Sequence, residues 1–209
     1  IKDAVCSTIH SKTFDSGMMC PSEQAMIVVG DANYQRVKEE LVRWKAHILT
    51  AEEIAKLKPL LVGENGSMSA AIIGHKAEEI ARLAGFQVPP KTKLLVGEVT
   101  ATDSSEPFAQ EKLAPILALY RASTFGQALE LADQLICAKG CGHTCALWMD
   151  PQQEEHLRLW YTKLKSCRLI LNSPASQGGI GDLYNFGLAP SFTLGCGSWG
   201  GNSIAQNVG

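Results

Sequence analysis

This sequence has no basic excess: 19 Lys and Arg stand against 21 Asp and Glu, a formal charge of −2. The charge balance therefore gives no reason to expect nucleic acid or an anionic membrane as a partner. No apolar run approaches the roughly 20 residues that a membrane-spanning helix requires. The opening residues do not carry the pattern of a secretory signal. Paired CxxC motifs are missing too: the seven cysteines are irregularly spaced in a chain of 209 residues. A chain of that length can bury a real core without staples, so an odd cysteine count reads as free thiols in a reducing, cytoplasmic setting. Internal repeats, low-complexity tracts and linkers are likewise lacking. What is there, 45% hydrophobic and 19% charged residues, is the composition of one soluble globular domain.

The chain opens with Ile1, Val5 and Ile9 at a helical repeat and closes just after a glycine-rich stretch. This suggests a piece excised from a longer polypeptide. Between the ends, "AMIVVG" (25–30) reads as a short buried strand. Asp31 or Asn33 can then cap a helix with apolar residues at Tyr34, Val37, Leu41, Trp44 and Ile48. "TAEE" (50–53) reads as a capping box opening a second helix, and "HKAEEIARLAG" as a third that Gly85 stops. "TKLLVGEV" and "PILALYRA" read as strands. After them come a helix (124–137), the strand "HTCALWMD", a helix opened by Pro151 and the strand "CRLILN". Strands that are almost continuously apolar, alternating with helices, predict a three-layer αβα domain around a mostly parallel open sheet. The last forty residues are rich in Gly, Ser and Asn, with little periodicity.

Four segments invite a chemical reading. Cys20 ends the loop "KTFDSGMMC" and precedes the first strand. The residues alone leave it open as core filler, metal ligand, disulfide half or nucleophile. Ser16, Gly17 and Pro21 make a tight loop, whose backbone N–H groups can lower a thiol pKa and stabilise an oxyanion. Glu111 in "EKLAPI" reads by itself as a solvated loop carboxylate. "CAKGCGHTC" (137–145) offers thiols at four-residue steps plus His143, but its order does not match a structural zinc site, so no metal is expected. His143, at the mouth of a strand, is open as an acid/base or as a structural histidine. "GCGSWG" (195–200) fits G-x-G-x-x-G, yet it lacks a following apolar helix and the acidic residue a dinucleotide-binding unit needs.

Together, "SKTFDSGMMCPSEQ", "EPFAQEKLAPILALYRA", "GHTCALW" and "NSPASQGGIGDLYNFGLAPSFTLGCGSWGGNS" resemble the catalytic domain of CoA-acylating aldehyde dehydrogenases. The resemblance is greatest to the aldehyde dehydrogenase half of bifunctional aldehyde–alcohol dehydrogenases, and it runs from the first residue to the last. It implies that residues 1–209 are the thiol-bearing catalytic domain and that an NAD-binding domain precedes residue 1. Cys20 takes the place of the family's nucleophile, and Glu111 that of the glutamate holding the ribose of the nicotinamide cofactor. Leu113 and Ala114 replace the Phe and Gly of the general "E-x-F-G-P" pattern. His143 becomes an acid/base candidate.

The implied activity interconverts acetyl-CoA plus NADH with acetaldehyde, CoA and NAD through a cysteine thioester, in a cytoplasmic, fermentative setting. NAD(H) and coenzyme A are the implied cofactor and co-substrate, with no metal in this domain. An iron-dependent alcohol dehydrogenase domain is expected downstream, in a homo-oligomer or filament, with neither nucleic acid nor membrane as partner. A hydrolytic aldehyde dehydrogenase and a non-catalytic assembly module stay open as alternatives.

Overall fold

The computed structural model describes residues 1–63, 69–138 and 142–181. A first helix, α1 (Lys2–Thr13), runs into a short 3-10 turn (Phe14–Gly17) and the cysteine loop. The chain then enters β1 (Ala25–Val29), α2 (Asp31–Arg43), β2 (Ala46–Ile48), α3 (Ala51–Leu61), α4 (Ala77–Leu83), β3 (Leu94–Glu98) and β4 (Ile116–Ala122). Four strands form a parallel sheet in the order β1-β4-β3-β2.

Side chains alternate across a strand, and the apolar residues of β3 and β4 divide accordingly. Leu94, Val96, Leu117 and Leu119 pack with Val5 and Ile9 of α1 and Tyr34, Val37 and Leu41 of α2. Leu95, Ile116, Ala118 and Tyr120 pack on the other face with Leu57 and Leu61 of α3 and Ala77 and Ile80 of α4. Two cores on two faces of one sheet give the three layers that the alternating pattern predicts. Each enclosed side chain of this size is worth about 1.5–3 kcal/mol of transfer free energy.

Beyond β4 come α5 (Phe125–Cys137), β5 (Gly142–Leu147), α6 (Glu154–Lys163), β6 (Ser166–Leu171) and α7 (Ala175–Ile180). β5 and β6 pair in parallel with each other as a separate two-stranded sheet. Leu129, Trp160 and Leu164 form the core under this pair. Among the described residues no helix is long and apolar enough to cross a membrane.

Several local expectations hold. Thr50 and Glu53 form the reciprocal capping box: the Glu53 N–H donates to Thr50 Oγ1 at 3.2 Å and the Thr50 N–H to Glu53 Oε2 at 2.8 Å. Gly85 follows α4 with a φ of 78°. Others need correction. Neither Asp31 nor Asn33 caps α2; Gly30 does so without a side chain, and Asn33 Nδ2 donates to Val29 O at 3.0 Å. Trp44 and Ile48 lie outside α2, because the chain leaves the helix after Arg43 and Ile48 belongs to β2. Pro151 does not open α6: Asp150 Oδ1 accepts the Gln152 N–H at 3.0 Å, and that turn delays the helix to Glu154. α7, unexpected in a glycine-rich stretch, is held by Glu23 of the cysteine loop and Ser11 of α1.

Candidate functional site

Cys20, Glu111 and His143 come from three separate parts of the chain, and all three line one cleft of about 1320 Å³. The thiol loop is shaped by backbone rather than by side-chain packing. Asp15 (φ 48°), Ser16 (φ 53°) and Gly17 (φ 79°) turn left-handed in succession. Gly17 is required twice over. Its φ suits glycine, and a Cβ there would lie 2.5 Å from the carbonyl carbon of Ala114. The loop that presents Cys20 therefore rests directly on the backbone of the segment carrying Glu111. Past Gly17, the Ser22 N–H donates to Met19 O at 2.9 Å, closing a turn around Cys20 and Pro21. Cys20 carries its thiol outside any disulfide, half-buried at the cleft.

Glu111 is exposed and stands on a loop folded back by its neighbour. Lys112 is fully enclosed, and its ammonium donates to Phe108 O at 2.6 Å and Gln110 O at 2.7 Å. Leu113 follows with a φ of 43°, a strained conformation for a branched side chain. Leu113 and Ala114, the two positions departing from the general glutamate motif, are thus where this loop turns and where Gly17 fits.

Ser22, Glu23 and Gln24 line the cleft, and with the buried groups behind them they form a floor that the motifs did not single out. Lys12, on the last turn of α1, is fully enclosed and donates to Gln24 Oε1 at 3.1 Å and Ser22 Oγ at 3.3 Å. Gln24 Oε1 also accepts the Lys112 N–H at 3.2 Å. Glu23 Oε1 accepts the N–H of Ala175, the first residue of α7, at 2.9 Å. Ser11 and Ser176 lock α1 to α7 through three bonds of 2.9 Å each. Gly179 completes the fit, since a Cβ there would meet Pro21 at 2.8 Å. One sequence signal was available for Lys12. It lies three residues after Ile9, on the buried stripe begun by Val5 and Ile9, where a solvated lysine does not belong. Glu23, Gln24 and Lys112 gave no such sign.

Burial governs the ionisation here. It pulls the Lys12 ammonium down to about 7, against the raising pull of the Glu23 and Glu111 carboxylates. Burial, together with the charge of Lys12, pushes Lys112 well below the ordinary lysine value. The Glu23 carboxyl is pushed up by burial, while bonds from Ser11 and the Ala175 N–H and the charge of Lys12 pull it back.

His143 is the second residue of β5 and half-buried, with Nδ1 3.1 Å from Thr144 Oγ1. Burial, then the positive charge of Arg168, lowers its pKa, so the imidazole is neutral near pH 7. Cys145 lines the same cleft, but burial pushes its thiol up to about 11, which leaves it protonated and a poor nucleophile. Among the described residues, Cys6, Cys20, Cys145 and Cys167 stand outside any disulfide. Cys137 is disulfide-bonded, which corrects the expectation of free thiols throughout. No three His, Cys, Asp or Glu side chains form a metal site among the described residues. The stretch 139–141 and the "GCGSWG" segment lie outside the described residues.

No family model matches the chain. Its full length is 52% identical to part of the bifunctional aldehyde-alcohol dehydrogenase AdhE of Escherichia coli K12, of which it covers 23%. It is 34% identical, again over its full length, to the sulfoacetaldehyde dehydrogenase (acylating) of Cupriavidus necator, covering 42% of that protein. The crystal structure of an acetylating aldehyde dehydrogenase from Geobacillus thermoglucosidasius superposes on the whole chain with a TM-score of 0.90 at 38% identity; the chain covers 45% of it. The chain thus spans a quarter to a half of the length of the relatives it matches.

Proposed function

We propose, from the premise that this chain belongs to the acylating aldehyde dehydrogenase family, that it is the thiol-bearing catalytic domain of an enzyme interconverting acetyl-CoA and acetaldehyde. The observation that carries this reading is the meeting of Cys20, Glu111 and His143 on one cleft. The Cys20 thiolate attacks the carbonyl carbon of acetyl-CoA, the bond to the CoA sulfur breaks, and an acetyl thioester is left on the protein. Bound NADH supplies the hydride that reduces this thioester. The resulting thiohemiacetal on Cys20 collapses to acetaldehyde and returns the thiolate. Overall, acetyl-CoA, NADH and one proton give acetaldehyde, CoA and NAD. Splitting acyl transfer from hydride transfer is what a covalent nucleophile provides.

The Cys20 backbone N–H serves as an oxyanion donor in a loop fixed by Gly17 and the Met19–Ser22 turn. The exposed Glu111 carboxylate suits a pair of ribose hydroxyls, and Lys112 keeps it on a rigid loop. His143, neutral near pH 7 with Nδ1 turned to Thr144, takes the proton of an incoming CoA thiol at Nε2 in the oxidative direction. The adenosine and pyrophosphate of the dinucleotide are assigned to a separate domain outside residues 1–209. An alcohol dehydrogenase domain, as the name of the E. coli relative indicates for that protein, and a homo-oligomer or filament complete the proposed assembly.

Supplying the full-length protein with acetaldehyde and NAD, with and without CoA, tests the reading. Acetyl-CoA formed only when CoA is present is expected. Acetate formed regardless of CoA would show a hydrolytic enzyme, and no turnover at all would favour an assembly module.

A further inference from the structure

We propose that Lys12 is a positioning residue that holds the thiol loop and the Glu111 loop in register for hydride transfer, an inference that rests on the acylating reading above. Both acceptors of its ammonium lie just beyond the nucleophile: Ser22 Oγ at 3.3 Å and Gln24 Oε1 at 3.1 Å. Gln24 Oε1 simultaneously accepts the backbone N–H of Lys112, the residue next to Glu111, at 3.2 Å. Lys12 is thus the donor that completes a bridge with one foot two residues from Cys20 and the other one residue from Glu111. Lys112 cannot do this with its own ammonium, which is used on Phe108 O and Gln110 O within its own loop.

Two further observations give the bridge a purpose. First, the position lies on the apolar stripe of α1 and is 0% exposed. An aliphatic side chain there would pack without the desolvation cost of an ammonium. Second, both joined loops contain left-handed residues, Asp15 and Ser16 on one side and Leu113 on the other, and such conformations persist only where surrounding structure over-determines them. Gly17 against Ala114 joins the loops through backbone contact. Lys12, Gln24 and the Lys112 N–H join them through hydrogen bonds. The charged groups that face Lys12 are Glu23, Glu111 and Lys112.

The two chemical steps make unequal demands on this bridge. Acylation needs the Cys20 thiol and the acyl donor, both served by the thiol loop. Hydride transfer needs the thioester carbon on one loop and the nicotinamide held through the other, and a misplacement of about 1 Å costs roughly 100-fold.

The experiment is Lys12→Met in the full-length enzyme. Methionine is unbranched, of similar length, and needs no hydrogen-bond partner. The expected result is a thermal midpoint no lower than the parent's and a rate of Cys20 acetylation by acetyl-CoA within about twofold of the parent's. Single-turnover hydride transfer from NADH to the acetyl-enzyme should fall about 10- to 100-fold. Ser22→Ala, which leaves the Lys12–Gln24 bond in place, should slow the same step less, and it decides the matter should Lys12→Met fail to fold. Hydride transfer unchanged in either folded variant overturns the proposal, as does a parallel fall of both steps with the thermal midpoint. Failure of the parent enzyme to take an acetyl group at Cys20 overturns the functional reading instead.

Discussion

Leu95, Ile72 and Tyr120 on one side of the sheet and Lys12 and Lys112 beneath the cleft are equally hidden from solvent, yet their surroundings differ completely. The first group lies among aliphatic and aromatic neighbours, and every methylene taken from water favours the folded chain. The second group consists of ammonium groups that lose hydration and recover it only through carbonyl, amide and hydroxyl oxygens. An ion taken out of water is destabilising unless its geometry is very good. Stability therefore comes from the sheet, whereas the floor of the cleft draws on that stability to fix loops that would not otherwise hold their shape.

Exchanging the proposed nucleophile should have the largest effect on chemistry and almost none on either region's packing. Cys20→Ser should cut turnover at least about 10⁴-fold, as expected for loss of a covalent catalyst, with an unchanged denaturant midpoint. Next come two substitutions of similar thermodynamic size that separate the regions. Leu95→Ala in the apolar core should cost about 2–5 kcal/mol, with both chemical steps preserved in the molecules that remain folded. Gly17→Ala should cost about 2–4 kcal/mol from overpacking and an unfavourable φ, and it should also slow both steps, because the new Cβ drives the thiol loop off Ala114. Urea titration combined with single-turnover kinetics reads both. Equal kinetic damage from the two variants would erase the distinction between the regions.

Glu111→Gln should slow hydride transfer about 100-fold and leave acylation of Cys20 and stability unchanged. Slowed acylation with normal hydride transfer would contradict its assigned role. His143→Ala should reduce the CoA-dependent step about tenfold, below the usual range for general catalysis because a thiol is already acidic. A purely structural histidine would instead lower both steps together with thermal stability.

The smallest expected effect is a slope of stability against pH. Lys12 has a folded pKa of about 7, below the ordinary 10.5. Between those values the unfolded chain holds a proton that the folded chain has lost, so stability rises with pH across that window and its deficit is complete below it. Glu23, raised by burial, acts oppositely: stability falls as pH climbs through the range between its ordinary and folded values. Denaturation of Lys12→Met at several alkaline pH values should show a flatter rise than the parent. An identical slope would mean that Lys12 is not the group responsible.

Helices and strands with strong periodicity were legible, because apolar spacing records which face is covered. Tyr34, Val37 and Leu41 announced α2, and the near-continuous apolar runs of β3 and β4 announced a sheet covered on both faces. β2 was missed because Trp44 and Ile48 continue a helical spacing across the end of α2, while the strand they lead into is three residues long. α7 was missed because "ASQGGI" has poor helix propensity; it stands on bonds to Glu23 and Ser11 that no local pattern can announce. At the site, the family resemblance singled out Cys20, Glu111 and His143 as candidates, and all three line one cleft. The supporting floor stayed hidden, since lysine and glutamate in a sequence ordinarily denote solvent. Lys12 alone gave a sign, through its place on the buried stripe of α1; only the fold shows that Glu23 and Lys112 point inward.

Among all these measurements, peptide mapping of the full-length enzyme after brief exposure to acetyl-CoA without NADH tests the central claim most directly. Mass spectrometry should find a hydroxylamine-sensitive acetyl group on Cys20, with Cys145 unmodified because its thiol stays protonated. An acetyl group on Cys145 or Cys167 with Cys20 untouched would contradict the assignment of the nucleophile and, with it, the mechanism built on that loop.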